Sequence, residues 1–374
     1  MAERPDPSLP PSRLPSPLGL THAAFVEACQ GAGVGSGRAD AMYRAVYAGK
    51  CEGGSEGGPE GWAPPAPTRV LESESPEGVV RKFLLPVPGP DRSGGRELPE
   101  QLETESVVIP MRGRHATTHT LCVSSQVGCA MGCGFCETAQ MGLIRSLSPA
   151  EIVAQWWAAT HRLGATIKNI VFMGMGEPLD NPGGVIGAIE TLTDRRGAAI
   201  AMKNITVSTV GRIDGLLALR ERVVTDGWKR LNLAVSINAP NDEIRDSIMP
   251  INRAMPLGEL VRVLEAWPLR PSGAICAEYV LIPGVNDKPE HADELAELLK
   301  NIRCCVNVIP YNPRRNSPWP APEEASVDAF LARLEARGQF CKRRRTKGRD
   351  TMAACGQLGN EQIRGRKLVQ VGLG

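Results

Sequence analysis

The chain of 374 residues is predicted to fold as an α/β protein whose parallel strands curl into a partial (β/α)6 barrel. Three observations carry that expectation. From about residue 118, six short β-branched runs alternate with helical patterns, the texture of consecutive βα units. A run of closely spaced cysteines directly follows the first of them, where a barrel places its chemistry. Glycine or polar residues close several of the others, which suits a small-molecule site at the carboxyl ends of the strands.

In chain order, residues 1–17 are proline-rich and read as a disordered tail. Residues 18–51 read as a small helical accessory domain, with helices over Ala24–Cys29 and Arg38–Tyr47. A Gly/Pro linker covers 52–68. A β extension follows over 69–117, with antiparallel strands at Val79–Leu85 and Glu105–Ile109. The barrel takes residues 118–374, with strands at Thr120–Ser125, Asn169–Met173, Asn204–Thr209, Asn232–Ile237, Ala274–Leu281 and Val306–Pro310. Helices are predicted over Pro149–Leu163, Pro256–Trp267 and Pro289–Leu299. The first opens on Ser148-Pro149-Ala150-Glu151, a capping box with proline at N1.

Composition narrows the class. With 42% apolar residues, the chain can bury a large core. No apolar run is long enough to cross a membrane, and the first twenty residues lack the apolar segment of a signal peptide. Eleven cysteines, an odd count, suit metal binding or thiol chemistry in a reducing cytoplasm. A net charge of +2 argues neither for nor against nucleic acid. Residues 342–349 are strongly basic, and Arg364, Arg366 and Lys367 follow. Such a cluster marks phosphate contact or a solvated basic surface.

Cys129, Cys133 and Cys136 form C-x3-C-x2-C with no fourth cysteine close behind. Three thiolates in one loop can hold a cubane iron–sulfur cluster by three irons and leave the fourth open, unlike a ferredoxin run that supplies four. A zinc site lacking its partner, or a buried reduced cluster, is the other reading. Gly174-Met175-Gly176-Glu177-Pro178 follows the second strand. It reads either as a structural turn or as a strand end opened for a ligand, with a carboxylate that can accept from an ammonium group. Ser208, Ser236, Ile237, Asn238 and Asn312 close the later strands, as site lining or as strand caps.

The cysteine spacing, with Phe135 before the last cysteine, resembles that of the radical S-adenosylmethionine (SAM) enzymes. The runs Leu121-Cys122-Val123-Ser124-Ser125-Gln126-Val127-Gly128-Cys129, Ala234-Val235-Ser236-Ile237-Asn238-Ala239-Pro240-Asn241-Asp242 and Ala353-Ala354-Cys355-Gly356-Gln357-Leu358 narrow it. They resemble the RlmN/Cfr family of RNA adenine methyltransferases, from about Glu105 to the C-terminal segment. The resemblance implies a radical SAM barrel with a [4Fe-4S] cluster on Cys129, Cys133 and Cys136 and SAM on the fourth iron. SAM would meet Gly176, Glu177, Ser208, Ser236, Ile237, Asn238 and Asn312.

By the same resemblance, Cys355 carries a methyl group taken from one SAM, and a radical made from a second SAM activates it for addition to adenine C2. Glu105 then accepts the ring proton, and Cys122 attacks the Cys355 sulfur to release the methylated base and leave a disulfide. C2 is an electrophilic amidine carbon, closed to direct methyl transfer. The implied partners are 23S ribosomal RNA, transfer RNA and a flavodoxin-like or other low-potential reductant, with the enzyme a monomer. Glu137, Asn238 and Arg349-Asp350 depart from the family pattern. C8 methylation of the same adenosine, or a non-catalytic iron–sulfur RNA-binding or electron-transfer protein, are the rival readings. Cys29, Cys51, Cys276, Cys304, Cys305 and Cys341 match no motif and read as structural.

Overall fold

The computed structural model describes residues 14–50, 62–89, 99–112, 117–225, 227–345 and 347–359. The predicted tail up to residue 13, residues 51–61 of the linker region with Cys51, and Arg364, Arg366 and Lys367 lie outside them.

Two helices open the described chain, α1 (His22–Gly31) and α2 (Ser36–Tyr47). Each is slightly longer than its sequence pattern. Thr21 caps α1 by accepting from the Ala24 amide. Their apolar faces, including Phe25, Met42, Tyr43 and Val46, belong to the same continuous core as the barrel. The pair therefore docks on the barrel flank rather than forming a separate hydrophobic unit.

Among the described residues, one sheet of ten strands forms the frame of the fold. Its antiparallel part is β1 (Arg69–Ser75), β2 (Gly78–Pro88) and β3 (Gln101–Arg112), with Leu84 opposite Glu105. β4 (Thr117–Cys122) pairs antiparallel with β3 and parallel with its other neighbour, so it joins the extension to the barrel. A two-stranded hairpin follows, β5 (Gln126–Gly128) and β6 (Leu143–Ser146). The parallel series then continues as β7 (Ile167–Phe172), β8 (Ile205–Thr209), β9 (Asn232–Ser236), β10 (Ile275–Leu281), β11 (Cys304–Pro310) and β12 (Cys341–Arg343).

Helices fill the crossovers: α3 (Pro149–Trp157), α4 (Pro182–Thr193), α5 (Ile213–Val224), α6 (Asp242–Ile248), α7 (Leu257–Glu265), α8 (Pro289–Leu299) and α9 (Glu324–Ala336). The capping box forms as read, with Glu151 N–H donating to Ser148 Oγ at 3.3 Å and Ser148 N–H to Glu151 Oε2 at 2.8 Å. One π-helical turn, Ala158–Arg162, extends α3. Trp157 at its start is buried and donates its indole N–H to Val46 O of α2 at 2.7 Å.

Four strands escape the sequence pattern: β1, β12 and the two short strands of the β5–β6 hairpin. β1 ends on alternating Glu and Ser, and β12 is Cys341 with the first two residues of the basic run, so neither shows an apolar period. The sheet stays open: β1 and β12 are its edges. The chain after β12 turns back across the gap, where Lys347 donates to Pro110 O at 3.0 Å and pairs with Glu77 at 3.1 Å.

Candidate active site

The three-cysteine run sits in the loop of the β5–β6 hairpin. Gly128 closes the base of that loop with φ +77°, and a Cβ there would lie 1.8 Å from Gly142 O. Cys129 N–H donates to the same carbonyl at 3.0 Å, so only glycine permits the closure. Cys129 and Cys133 are buried and Cys136 is half-buried. They share an apolar cluster with Met131, Met249, Ile282, Tyr311 and Trp319, apart from the main core. Arg314 Nε holds the loop by donating to Gly134 O at 2.7 Å.

Burial, with the neighbouring thiols, pushes Cys129 and Cys133 well above the ordinary cysteine range. Metal binding is what would deprotonate them. Arg245 is fully buried beside this group and near Cys133. Burial lowers its guanidinium to about 10, and it donates to Ser236 O, Ile237 O and Val210 O at 3.0, 3.0 and 2.6 Å. Among the described residues no group of three or more His, Cys, Asp or Glu side chains is placed to hold a single metal ion. A cubane asks instead for one thiolate on each separate iron. Three thiols spread around one apolar pocket, with a buried cation close by to offset negative charge, fit that requirement.

The polar residues of the β4–β5 segment place the next turn. Ser124 Oγ accepts from Met175 N–H at 2.9 Å, and Gln126 Oε1 accepts from Glu177 N–H at 2.9 Å. Gly176 lies at φ +98°, and a Cβ on it would sit 2.5 Å from Gln126 Cβ. Glu177 is buried, accepting from Leu179 N–H at 3.0 Å and Val210 N–H at 2.8 Å. Burial nevertheless raises its carboxyl to about 7. A ligand ammonium group beside it would offset that cost.

One pocket collects the three cysteines, Gly176, Glu177, Ser208, Ser236, Asn238, Asn312 and Cys355. Ile237 does not line it. Its side chain is fully buried in the main core, and its N–H donates to Glu278 O at 3.0 Å. The alternation of a strand end explains the correction: Ser236 faces the pocket and its neighbour faces inward. Asn238 holds φ +56°, a conformation asparagine tolerates. Its Oδ1 accepts from Val280 N–H at 2.8 Å, so it pins β10 beside the pocket.

Two residues of this region were missed in the sequence. Glu278 is the one acid within β10. It accepts from Ser208 Oγ and Arg344 Nη1, each at 3.2 Å. The signal was a charge inside an otherwise apolar strand. Arg344 was hidden inside the basic run, yet it points inward among Glu278, Cys122 and Cys355.

Cys355 lies on the wall of this pocket and also on that of a second cleft. The second cleft is lined by Thr120, Asn307, Arg344, Arg345 and Lys347. Burial pushes the Cys122 thiol up to about 12, and nearby Cys355 adds to the rise. Burial also raises Cys355, while Arg344 opposes that. Glu137 is buried, and its N–H donates to Gly356 O at 2.7 Å. That contact ties the cysteine-rich loop to the Cys355 segment.

Glu105 is not brought to either cleft. It is buried in an ion pair with Lys82 at 2.8 Å and accepts from Gly359 N–H at 3.0 Å.

The Radical SAM superfamily model matches residues 123–299. The chain is 42% identical over 268 residues to the "Probable dual-specificity RNA methyltransferase RlmN 1" of Protochlamydia amoebophila, covering 72% of this chain and 73% of that protein. It is 42% identical over 303 residues to the "Dual-specificity RNA methyltransferase RlmN" of Alkalilimnicola ehrlichii, covering 80% and 78%. The crystal structure of a radical SAM methyltransferase from Sphaerobacter thermophilus superposes with a TM-score of 0.77 at 34% identity, over 91% of this chain and 98% of that one. With these likenesses spanning the barrel and its pocket, the chain belongs to the RlmN family of radical SAM RNA methyltransferases, which use a [4Fe-4S] cluster and SAM.

Proposed function

We propose that the enzyme methylates C2 of an adenosine in 23S ribosomal RNA, and of one in transfer RNA, by way of a methylated Cys355. The carrying observation is that Cys355 stands between two clefts. The first is lined by the cysteine loop and the strand ends and suits SAM, with Glu177 facing the ammonium group. The second has Arg345 and Lys347 on its wall and suits a base whose phosphates they meet. A sulfur on the common wall can take a group on one side and hand it over on the other. The name borne by the curated relatives, dual-specificity RNA methyltransferase, supports two kinds of RNA substrate.

When bound, the cluster and SAM supply the methyl group and the means of activating it. The chain's own residues do the rest. Arg344 beside Cys355 favours the thiolate that accepts the methyl group. Once that carbon is bonded to adenine C2, and the ring proton and the adduct's unpaired electron have left, the electron to a one-electron acceptor such as the oxidised cluster would provide when bound, Cys122 attacks the Cys355 sulfur. The new S–S bond forms as the S–C bond breaks. The electron pair stays on carbon and, with a proton, completes the methyl group. The resulting disulfide must be reduced for the next turnover, which suits a reducing cytoplasm with a low-potential donor.

Mass spectrometry of RNA from cells lacking the protein tests the reading. Loss of 2-methyladenosine is expected. Loss of 8-methyladenosine instead would move the target to C8, and loss of neither would refute both.

A further inference from the structure

Asn312 stands just past β11. It is buried, at 4% exposure, and it lines both clefts. Its amide has two ends of nearly the same shape and opposite chemistry: the oxygen accepts and the NH2 donates. Which end faces the pocket decides which ligand atom it can recognise. Arg349 settles that choice. Its Nη2 and Nε donate to Asn312 Oδ1 at 3.1 and 3.3 Å. A guanidinium carries donors only, so it meets this amide through the oxygen alone. Asn312 Nδ2 has no partner among the described residues and is left to a ligand.

The backbone under Arg349 is fixed by its own turn. Gly348 O accepts from Ala353 N–H at 2.8 Å and from Thr351 Oγ1 at 3.2 Å. Arg349 O accepts from Met352 N–H at 3.1 Å. The side chain is exposed and shares a groove with Arg343 and Arg345. Charge alone would make it one more phosphate contact. Two donors spent on one buried oxygen point to a different task. Arg349 is also one of the positions that depart from the family pattern, so no family motif assigns it a role.

We propose that Arg349 is a positioning residue: by holding Asn312 Oδ1 it turns the amide NH2 into the first pocket, to donate to an acceptor atom of SAM. SAM offers such atoms in its carboxylate, its ribose oxygens and its adenine ring nitrogens. The proposal rests on the reading of the first pocket as the SAM site, and not on which carbon of the RNA base is methylated. Without Arg349 the amide is free to turn over and present its oxygen, which repels those atoms.

The test measures SAM affinity by equilibrium dialysis of anaerobic, cluster-loaded protein without RNA, at about pH 8, above the Glu177 range. Asn312→Ala is expected to bind SAM about tenfold more weakly, the worth of one hydrogen bond. Arg349→Met is expected to weaken binding about fivefold, because only the amides still facing the right way bind. Arg349→Lys, which keeps one donor for Oδ1, is expected to stay within about twofold of the parent. The double variant, Arg349→Met with Asn312→Ala, is expected to match Asn312→Ala alone, since Arg349 then has no amide to turn. Parental affinity in Arg349→Met overturns the proposal, and a salt slope of RNA binding reduced by about 1 in that variant would make Arg349 a phosphate contact instead. A double variant weaker than Asn312→Ala by the full Arg349 loss also overturns it, because Arg349 then acts by another route. Asn312→Asp keeps an oxygen for Arg349 but offers no donor, so parental SAM binding by that variant overturns the orientation. If Arg349→Met does not load its cluster, Arg349→Ala takes its place, and failure of both marks a structural role and overturns the positioning. Glu177→Gln in the same assay separates the two readings. Weaker SAM binding in Glu177→Gln but not in Arg349→Met keeps the pocket and removes the role of Arg349. Parental binding in both Glu177→Gln and Asn312→Ala refutes the first pocket as the SAM site, and the proposal with it.

Discussion

Replacing Glu177 by glutamine isolates the electrostatics of the pocket. The carboxyl is 2% exposed, and burial raises it from 4.5 to about 7 against the pull of the Val210 and Leu179 amides. That rise amounts to about 3 kcal/mol against the charged form. The folded protein keeps this proton where the unfolded chain has lost it. Its stability therefore falls as pH rises between about 4.5 and 7, and the loss is complete above that window.

Glutamine cannot ionise, and it offers one accepting oxygen where the carboxylate offers two. It forfeits one amide bond, about 1–3 kcal/mol, at every pH. Relative to the parent, the variant should gain up to about 3 kcal/mol between about pH 5 and pH 8. Thermal melts of the cofactor-free proteins across that range measure the difference. In cluster-loaded protein, equilibrium dialysis should show the parent's SAM affinity falling about tenfold per pH unit below 7. The variant should bind SAM about a hundredfold more weakly above pH 7, with a flatter profile. Parallel pH dependences in parent and variant would refute the assignment of the buried charge to Glu177.

Three further outcomes are expected. Cys355→Ala should abolish RNA methylation, whereas Cys122→Ala should accumulate protein joined to RNA through Cys355, visible as a shifted band under denaturing conditions; free methylated product from either variant would refute the two-cysteine route. Arg345→Ala with Lys347→Ala should weaken RNA binding and reduce the slope of log affinity against log salt by about 2, as read by filter binding; an unchanged slope would remove these side chains from the phosphate contacts. Gly128→Ala must move the hairpin base, because its Cβ meets Gly142 O at 1.8 Å; iron content per chain should fall severalfold, and full iron loading would show that the loop closes another way.

Much of the architecture was legible in the residues. The alternation of β-branched runs and helical periods showed six of the parallel strands, and Ser148-Pro149-Ala150-Glu151 showed where α3 begins. The cysteine loop, Gly176-Glu177 and the strand-end polar residues were readable because each is a local pattern, and one pocket collects them. Ile237 was misplaced because a strand end alternates its faces residue by residue, and a run of neighbours cannot show which of them points inward.

By itself, the sequence determined the chemistry available to this protein: three thiols with no fourth in one loop, two distant cysteines, and strands whose ends gather polar groups. Short-range spacing and periodicity carry that information. Only the tertiary structure decided which groups act on one another. It turned Arg344 out of a basic surface run toward Cys122 and Cys355, and set Glu278 across from it. It placed Cys355 between two clefts and withdrew Glu105 into a buried pair with Lys82. Those pairings join residues far apart in the chain, and the cost of burying an unmatched charge selects them.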